Sequence, residues 1–347
     1  MKALYKSSLG NGNLELIERP FPEMDETNNV LIKVKACAVC GMDHRIYHGT
    51  YPCTPPFIMG HELIGVIDKQ LGSVENFDIG DRVTIQPHLY SCGKCAPCSM
   101  GLTQFCKEKR SVGIDRDGAM TSYVVVPAKC LHHVPVEISD SLATIIEPFS
   151  MIYGNIVPVV RKTKAKTVVI IGAGQVGMFA LVGAKAAGAE NVLVSGVTKD
   201  IDYRFEVAKK LGATETIDSM TSSIQNRVME LTDGVGADVV LDASGSESGI
   251  ADGIKVLRHG GTLIAMGMTR KENISVCWDV CIKKALHIDF CMQSNYQYMD
   301  EAIRFMAHPY ADLSPLITKE GKLSEWRELF DYMDSHDTLK NVIYIDC

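Results

Sequence analysis

The feature that most constrains the fold is a glycine turn set between an apolar run and a helix-like stretch. Thr167-Val-Val-Ile-Ile171 is uninterrupted and β-branched, and Gly172-Ala-Gly174-Gln175-Val176-Gly177 comes directly after it. Five such residues bounded by glycine read as a buried strand. A G-x-G-x-x-G spacing alone is common; between a strand and a helix it is specific. Gly172 permits the tight turn, Gly174 lets backbone approach a pyrophosphate, and Gly177 allows close helix–strand contact. Gln175 and Val176 open the helix, whose first N–H groups are donors for phosphate. The segment therefore predicts a dinucleotide site. Thr167–Ala189 is about as long as a membrane span, but its glycines and Lys185 fit a strand, turn and helix better.

Downstream of this turn, strands and helices alternate. Strands are predicted at Asn191–Ser195, Glu215–Asp218, Val239–Asp242 and Thr262–Gly267, and helices at Arg204–Leu211, Ser222–Thr232 and Ile250–Leu257. That order implies an α/β unit, a doubly wound parallel sheet with helices on both faces, over 155–289. Its second strand should end in Asp or Glu if the cofactor is NAD, because a carboxylate binds the ribose hydroxyls. It ends instead in Gly196, with Thr198, Lys199 and Arg204 beyond. No carboxylate repels a 2′-phosphate there, which places NADP just ahead of NAD. Against this, Lys199 and Arg204 have the composition of ordinary surface charges, and Asp200 or Asp202 can fold back onto the ribose.

The first 154 residues are different. Val30–Ala36, Leu63–Ile67, Arg82–Gln86 and Ser122–Val126 read as short strands in a mostly-β domain. The tail, 290–347, holds two helical stretches, Tyr298–Ala307 and Ser324–Ser335, and a last strand, Asn341–Ile345, with no sheet of its own. It is expected to return and complete the first domain. The net charge of -7 argues against a nucleic-acid partner. The N-terminus has no apolar signal-peptide core, which suggests a cytoplasmic protein without a membrane role.

Four of the twelve cysteines crowd into a lobe at 88–110, as Cys92-x2-Cys95-x2-Cys98-x7-Cys106. Two-residue gaps let a tight loop turn successive sulfurs inward, with Gly93 and Pro97 making the turns. Four thiolates suit a closed, structural zinc site. Buried or disulfide-paired cysteines are the blander reading, and C-x2-C-x2-C also ligates iron–sulfur clusters. Elsewhere Cys40, His61, Glu62 and Glu147 supply the ligand types of an open catalytic zinc. Singly, each is more often packing or surface.

Order and context make them informative. Cys40-Gly41-x-Asp43, Gly60-His61-Glu62-x-x-Gly65, Gly80-Asp81-Arg82-Val83, the four-cysteine lobe and Glu147-Pro148 occur in sequence. In these the chain resembles the zinc-dependent medium-chain alcohol dehydrogenases over nearly its whole length. The Glu-Pro element looks most like the polyol branch, with its sorbitol, threonine and sugar-alcohol dehydrogenases. The resemblance implies a GroES-like catalytic domain joined to a Rossmann domain, and a homodimer or homotetramer. It implies two zinc ions per chain, with Cys40, His61 and Glu62 as catalytic ligands and Glu147 as a further ligand or a base. The implied activity is hydride transfer between NAD(P) and a secondary alcohol or polyol, a sugar alcohol or its phosphate among them. Zinc as Lewis acid makes such an alcohol acidic near neutral pH.

Two departures qualify it. Relatives often carry Ser or Thr two residues after the catalytic Cys as part of a proton relay; this chain has Met42, so Glu147 or His44 must serve. Where sorbitol dehydrogenases carry an Arg-Tyr pair, this chain aligns Gln293 and Ser294. A zinc-lacking reductase and a non-catalytic protein on the same scaffold are the rival readings.

Overall fold

The computed structural model describes residues 1–292 and 296–346; Gln293 and Ser294 lie outside them. The chain divides into two compact units, Met1–Ser150 with Asn295–Cys347, and Met151–Ser294. The division expected at 154/155 and 289/290 thus shifts by a few residues. The first boundary falls inside a helix, Ile146–Thr163, which the sequence disguises. Pro148 sits in its first turn, where a missing N–H is tolerated, but Pro158 inside it reads as a breaker.

Among the described residues of the second unit six parallel strands lie side by side. Their order is Glu215–Asp218, Asn191–Gly196, Thr167–Ile171, Ala237–Asp242, Leu257–Ala265 and His287–Phe290. Thr167–Ile171 is central, pairing Thr167 to Asn191 on one side and Val168 to Val239 on the other. All five of its residues are buried, as a strand covered on both faces requires. The helix Gln175–Ala186 packs on this strand and its neighbour, so the glycine turn is held between two buried elements. The sheet reverses direction of growth beside Thr167–Ile171, which is where ligands bind in open α/β sheets.

The first unit is built on Val30–Val39. Its first half pairs with Tyr123–Val126, its length with Glu62–Gln70, and its end with the C-terminal strand Lys340–Tyr344. Among the described residues seven strands share this sheet. The strand Ile317–Lys322, beside Lys340–Tyr344, was not legible in sequence. It lies at the sheet's edge, so Ile-Thr-Lys-Glu-Gly-Lys is only partly buried and lacks an apolar alternation. The core beneath includes Leu4, Ile32, Leu63, Val83, Val126, Phe330 and Ile343. Among the described residues no helix is long and apolar enough to cross a membrane.

Candidate metal centres and dinucleotide site

Cys40 stands where the strand Val30–Val39 gives way to the helix Gly41–Tyr47, as that helix's N-cap. Its sulfur accepts the Met42 N–H at 3.4 Å, and Asp43 returns the cap, Oδ2 accepting the Cys40 N–H at 3.0 Å. The neighbouring strand brings in His61 and Glu62, with Glu62 opposite Ala38. Gly60 makes the entering turn at φ +91, and a Cβ there would lie 2.7 Å from Cys37 Sγ and from Met120 Cγ. Sheet register therefore gathers one donor atom each from Cys40, His61 and Glu62 within 4.8 Å of one another. Asp43 and Glu62 are fully buried and His61 nearly so. Asp43 Oδ1 lies 3.6 Å from His61 Nδ1, the carboxylate–imidazole arrangement that orients metal-binding histidines.

Two further residues complete the pocket. Lys340, on the C-terminal strand and fully buried, donates to Glu62 Oε2 at 2.5 Å. Among the described residues Glu62 Oε1 has no hydrogen-bond partner. Glu147, in the first turn of Ile146–Thr163, accepts the Tyr296 hydroxyl on Oε1 at 2.8 Å. Tyr296 meets His88 edge to face at 5.3 Å, and burial holds that imidazole neutral, its pKa lowered to about 3. Glu147 is near enough for the His61 and Glu62 charges to act on it, but stands outside the group of three.

Five groups here, Cys40, His61, Glu147, Tyr296 and Lys340, hold their protons more tightly than usual. Burial raises the pKa of Cys40, Glu147 and Tyr296. Burial opposes the charged forms of His61 and Lys340, yet Asp43 and Cys40 raise the first, and Glu62 and Cys40 the second. Groups that all hold their protons mark a site short of positive charge. A divalent cation would supply it, and the orphan Glu62 Oε1 offers it a lone pair.

His44 is not part of this arrangement. One residue beyond Asp43, it is turned about 100° around the helix. Its Nε2 instead meets His48 and Asp334.

The cysteine lobe also converges. The four sulfurs of Cys92, Cys95, Cys98 and Cys106 lie within 4.8 Å of one another, and among the described residues none is in a disulfide. Cys95 and Cys98 are 3.4 Å apart and Cys92 and Cys98 4.0 Å. Thiolates about 2.3 Å from one tetrahedral ion would be about 3.8 Å apart. Backbone N–H groups of Lys94 and Cys95 point at the Cys92 sulfur and bring its pKa down to about 7. The Cys98 N–H favours the Cys95 thiolate too, yet crowding by the Cys98, Cys92 and Cys106 sulfurs pushes it up to about 12. Four such sulfurs cannot all ionise without a cation between them.

In the second unit Gly172 turns at φ +108, and a Cβ on Gly177 would collide with the Gly172 carbonyl oxygen. Gly174, the N-cap of Gln175–Ala186, contributes no side-chain cap and faces open space. The N–H groups of that helix end are thus exposed to an incoming phosphate. At the end of the second strand Asp200 folds back onto Gly196. Its Oδ2 accepts the Val197 N–H at 2.8 Å, and Arg204 donates to its Oδ1 at 3.3 Å. Thr198 donates to Asp218 Oδ2 at 2.9 Å. Arg204 and Thr198, expected to face a ribose phosphate, are thus turned to carboxylates, while Lys199 is exposed.

Known proteins match over the whole chain. Residues 26–136 match the model of the Alcohol dehydrogenase GroES-like domain, and 176–308 that of Zinc-binding dehydrogenase. A sorbitol dehydrogenase of Halalkalibacterium halodurans is 32% identical over 340 residues, covering 98% of each chain. The chain belongs to the zinc-dependent medium-chain alcohol dehydrogenases. An L-threonine 3-dehydrogenase of Alteromonas mediterranea is 33% identical, covering 99% of each chain, which sets this dehydrogenase in the polyol branch. The structure of an alcohol dehydrogenase of Escherichia coli CFT073 complexed with NADH superposes with a TM-score of 0.88 at 27% identity, covering 99% of each chain. The fold is therefore a GroES-like unit and a Rossmann unit, and the chain is a zinc-dependent, NAD(P)-linked alcohol dehydrogenase. Sequence reading of this dehydrogenase missed Lys340 and Tyr296. They lie 278 and 149 residues from their carboxylate partners, and no motif marks them.

Proposed function

We propose that Cys40, His61 and Glu62 hold the catalytic zinc, that Cys92, Cys95, Cys98 and Cys106 hold a structural zinc, and that the enzyme interconverts a secondary alcohol or polyol and its ketone. The observation that carries this is the convergence of the half-buried Cys40 thiol with a buried imidazole and a buried carboxylate, one carboxylate oxygen unpartnered among the described residues. Bound there, zinc supplies Lewis acidity toward the substrate hydroxyl. The separations in the lobe suit one ion better than a cluster, whose bridging sulfides would spread the ligands. The substrate class extends to sugar alcohols and their phosphates, the protein is cytoplasmic, and the assembly is a homodimer or homotetramer.

The protein's own part in the chemistry is to hold charge and move a proton. Asp43 fixes the His61 ring, and Lys340 holds Glu62 in place. Met42 has no exchangeable proton, so Glu147 is the base. Tyr296 occupies its Oε1, which leaves Oε2 to take the hydroxyl proton. Burial raises the Glu147 pKa toward the range a general base needs near neutral pH. Glu147→Gln should lower kcat about a hundredfold and leave the NAD(P) dissociation constant unchanged. A variant with weakened cofactor binding and native turnover at saturating cofactor would contradict the role. The substrate class is tested by cofactor reduction over polyols, sugar phosphates, amino alcohols and short secondary alcohols. Turnover confined to a non-alcohol would overturn it.

For the cofactor, NADP is placed ahead of NAD, with contacts at Gly172, Gly174, Gln175, Val176 and Gly177 for the pyrophosphate. Gly196 itself carries no carboxylate, although Asp200 folds back onto it. Since Asp218 and Asp200 engage Thr198 and Arg204, the preference turns on Lys199. One charge-assisted hydrogen bond is worth roughly 1.5–3 kcal/mol, about ten- to a hundredfold. Lys199→Ala should lower kcat/KM for NADP by that factor and spare NAD. A native preference for NAD that the substitution leaves unchanged would show that the loop presents its carboxylates to the ribose.

A further inference from the structure

The helix that begins at Cys40 carries a second set of donors at its other end. His44 and His48 stand four residues apart, one in the helix Gly41–Tyr47 and the other its C-cap, so their rings share a face. Their Nε2 atoms are 3.1 Å apart, with ring centroids at 4.5 Å. Asp334, from the short turn Tyr332–Asp334, places Oδ1 3.0 Å from His44 Nε2 and 3.6 Å from His48 Nε2. Two imidazoles and a carboxylate thus aim one atom each at a common point, all within 4.8 Å. No hydrogen-bonding scheme satisfies three such atoms equally. Two nitrogens facing each other need one proton between them, and the accepting nitrogen then carries none, so the carboxylate oxygen is left no N–H of its own to accept. A single cation takes all three lone pairs at once.

We propose that His44, His48 and Asp334 form a further metal site, separate from the buried group and from the cysteine lobe. Imidazole nitrogens with one carboxylate select borderline divalent ions of the zinc, copper and nickel class over magnesium or calcium. Three protein donors leave coordination positions for water, so the site is open. The side chains are 19%, 35% and 59% exposed in the order His44, His48, Asp334, which gives an ion a path from solvent. An ion here ties the end of the Cys40 helix to the C-terminal segment.

The test is zinc titration of the intact holoprotein against a competing chelator, with His48→Ala, Asp334→Asn and, as control, His308→Ala. His308 is exposed and packs on Tyr310 away from the cluster. The native chain and the control should bind one zinc equivalent more than their tightly held complement. In His48→Ala and Asp334→Asn that equivalent should weaken at least about tenfold, the lower bound found for losing even an outer-shell partner. With Cu²⁺ in place of zinc, the spin-resonance spectrum of the native chain should carry two imidazole nitrogens, and that of His48→Ala should lose one. Asp334 is mostly exposed, so its variant reports even if His48→Ala folds poorly. Equal stoichiometry and affinity in the native chain and both cluster variants would overturn the site, as would equal loss in His308→Ala. Because these side chains are distinct from Cys40 and the lobe cysteines, failure here leaves the two-zinc reading untouched.

Discussion

A Cys106→Ser chain is expected to lose one zinc equivalent and to melt far below the native protein, while its remaining folded fraction turns over normally. Cys106 is the buried member of the four, and its sulfur also accepts the Cys92 N–H at 3.3 Å. A closed four-thiolate site has no coordination position for substrate, so its metal contributes folding energy and not chemistry. Structural zinc in isolated finger peptides binds with apparent energies of about 10–16 kcal/mol. Replacing one thiolate by a hydroxyl forfeits a large part of that, and the lobe has little else to order it: Cys92, Cys95 and Cys98 are each partly exposed. Differential scanning calorimetry with elemental analysis checks this. Native zinc content and an unchanged melting temperature would refute it, and iron with acid-labile sulfide in the native chain would replace zinc by a cluster.

Lys340→Met should destabilise the first unit by about 3–5 kcal/mol, the usual cost of stranding one partner of a buried ion pair. For a unit of this size that is a fall of roughly 6–20 °C in melting temperature. Both side chains are fully buried, so in the zinc-free chain, where the effect should be read, the carboxylate would face a dry site with no cation beside it. Methionine keeps much of the lysine's length and removes the charge, which separates electrostatics from packing. The double variant Lys340→Met with Glu62→Gln should recover part of the loss, because no unpaired charge remains. If Lys340→Met melts with the native chain, the ammonium is not what balances Glu62.

How much of this was legible depended on where partners lie along the chain. The glycine turn reads directly from Thr167–Gly177 because strand, turn and helix are contiguous and each glycine has a local reason. The four lobe cysteines are likewise close in sequence, and their sulfurs meet through local turns. Cys40, His61 and Glu62 come together through sheet register, which residue order hints at only by resemblance to relatives. Lys340 could not be foreseen: Lys-Asn-Val-Ile-Tyr opens a strand like any other, and only pairing with Val30–Val39 lowers its ammonium onto Glu62. The side chains around Gly196 take other partners in the fold for a related reason. Thr198, Lys199 and Arg204 stand together in sequence as phosphate donors, but Asp200 and Asp218 lie equally close in the folded loop and engage two of them.

Zinc dependence of hydride transfer tests the assignment most directly. NAD(P) reduction by secondary alcohols and polyols is followed in the native enzyme, in the enzyme stripped by chelator, after zinc is returned, and in Cys40→Ser. The expected result is activity in the native chain, its loss on stripping and its recovery on reloading, with Cys40→Ser inactive but binding NAD(P) at native affinity. Undiminished reduction by Cys40→Ser would contradict a catalytic zinc held by Cys40, His61 and Glu62.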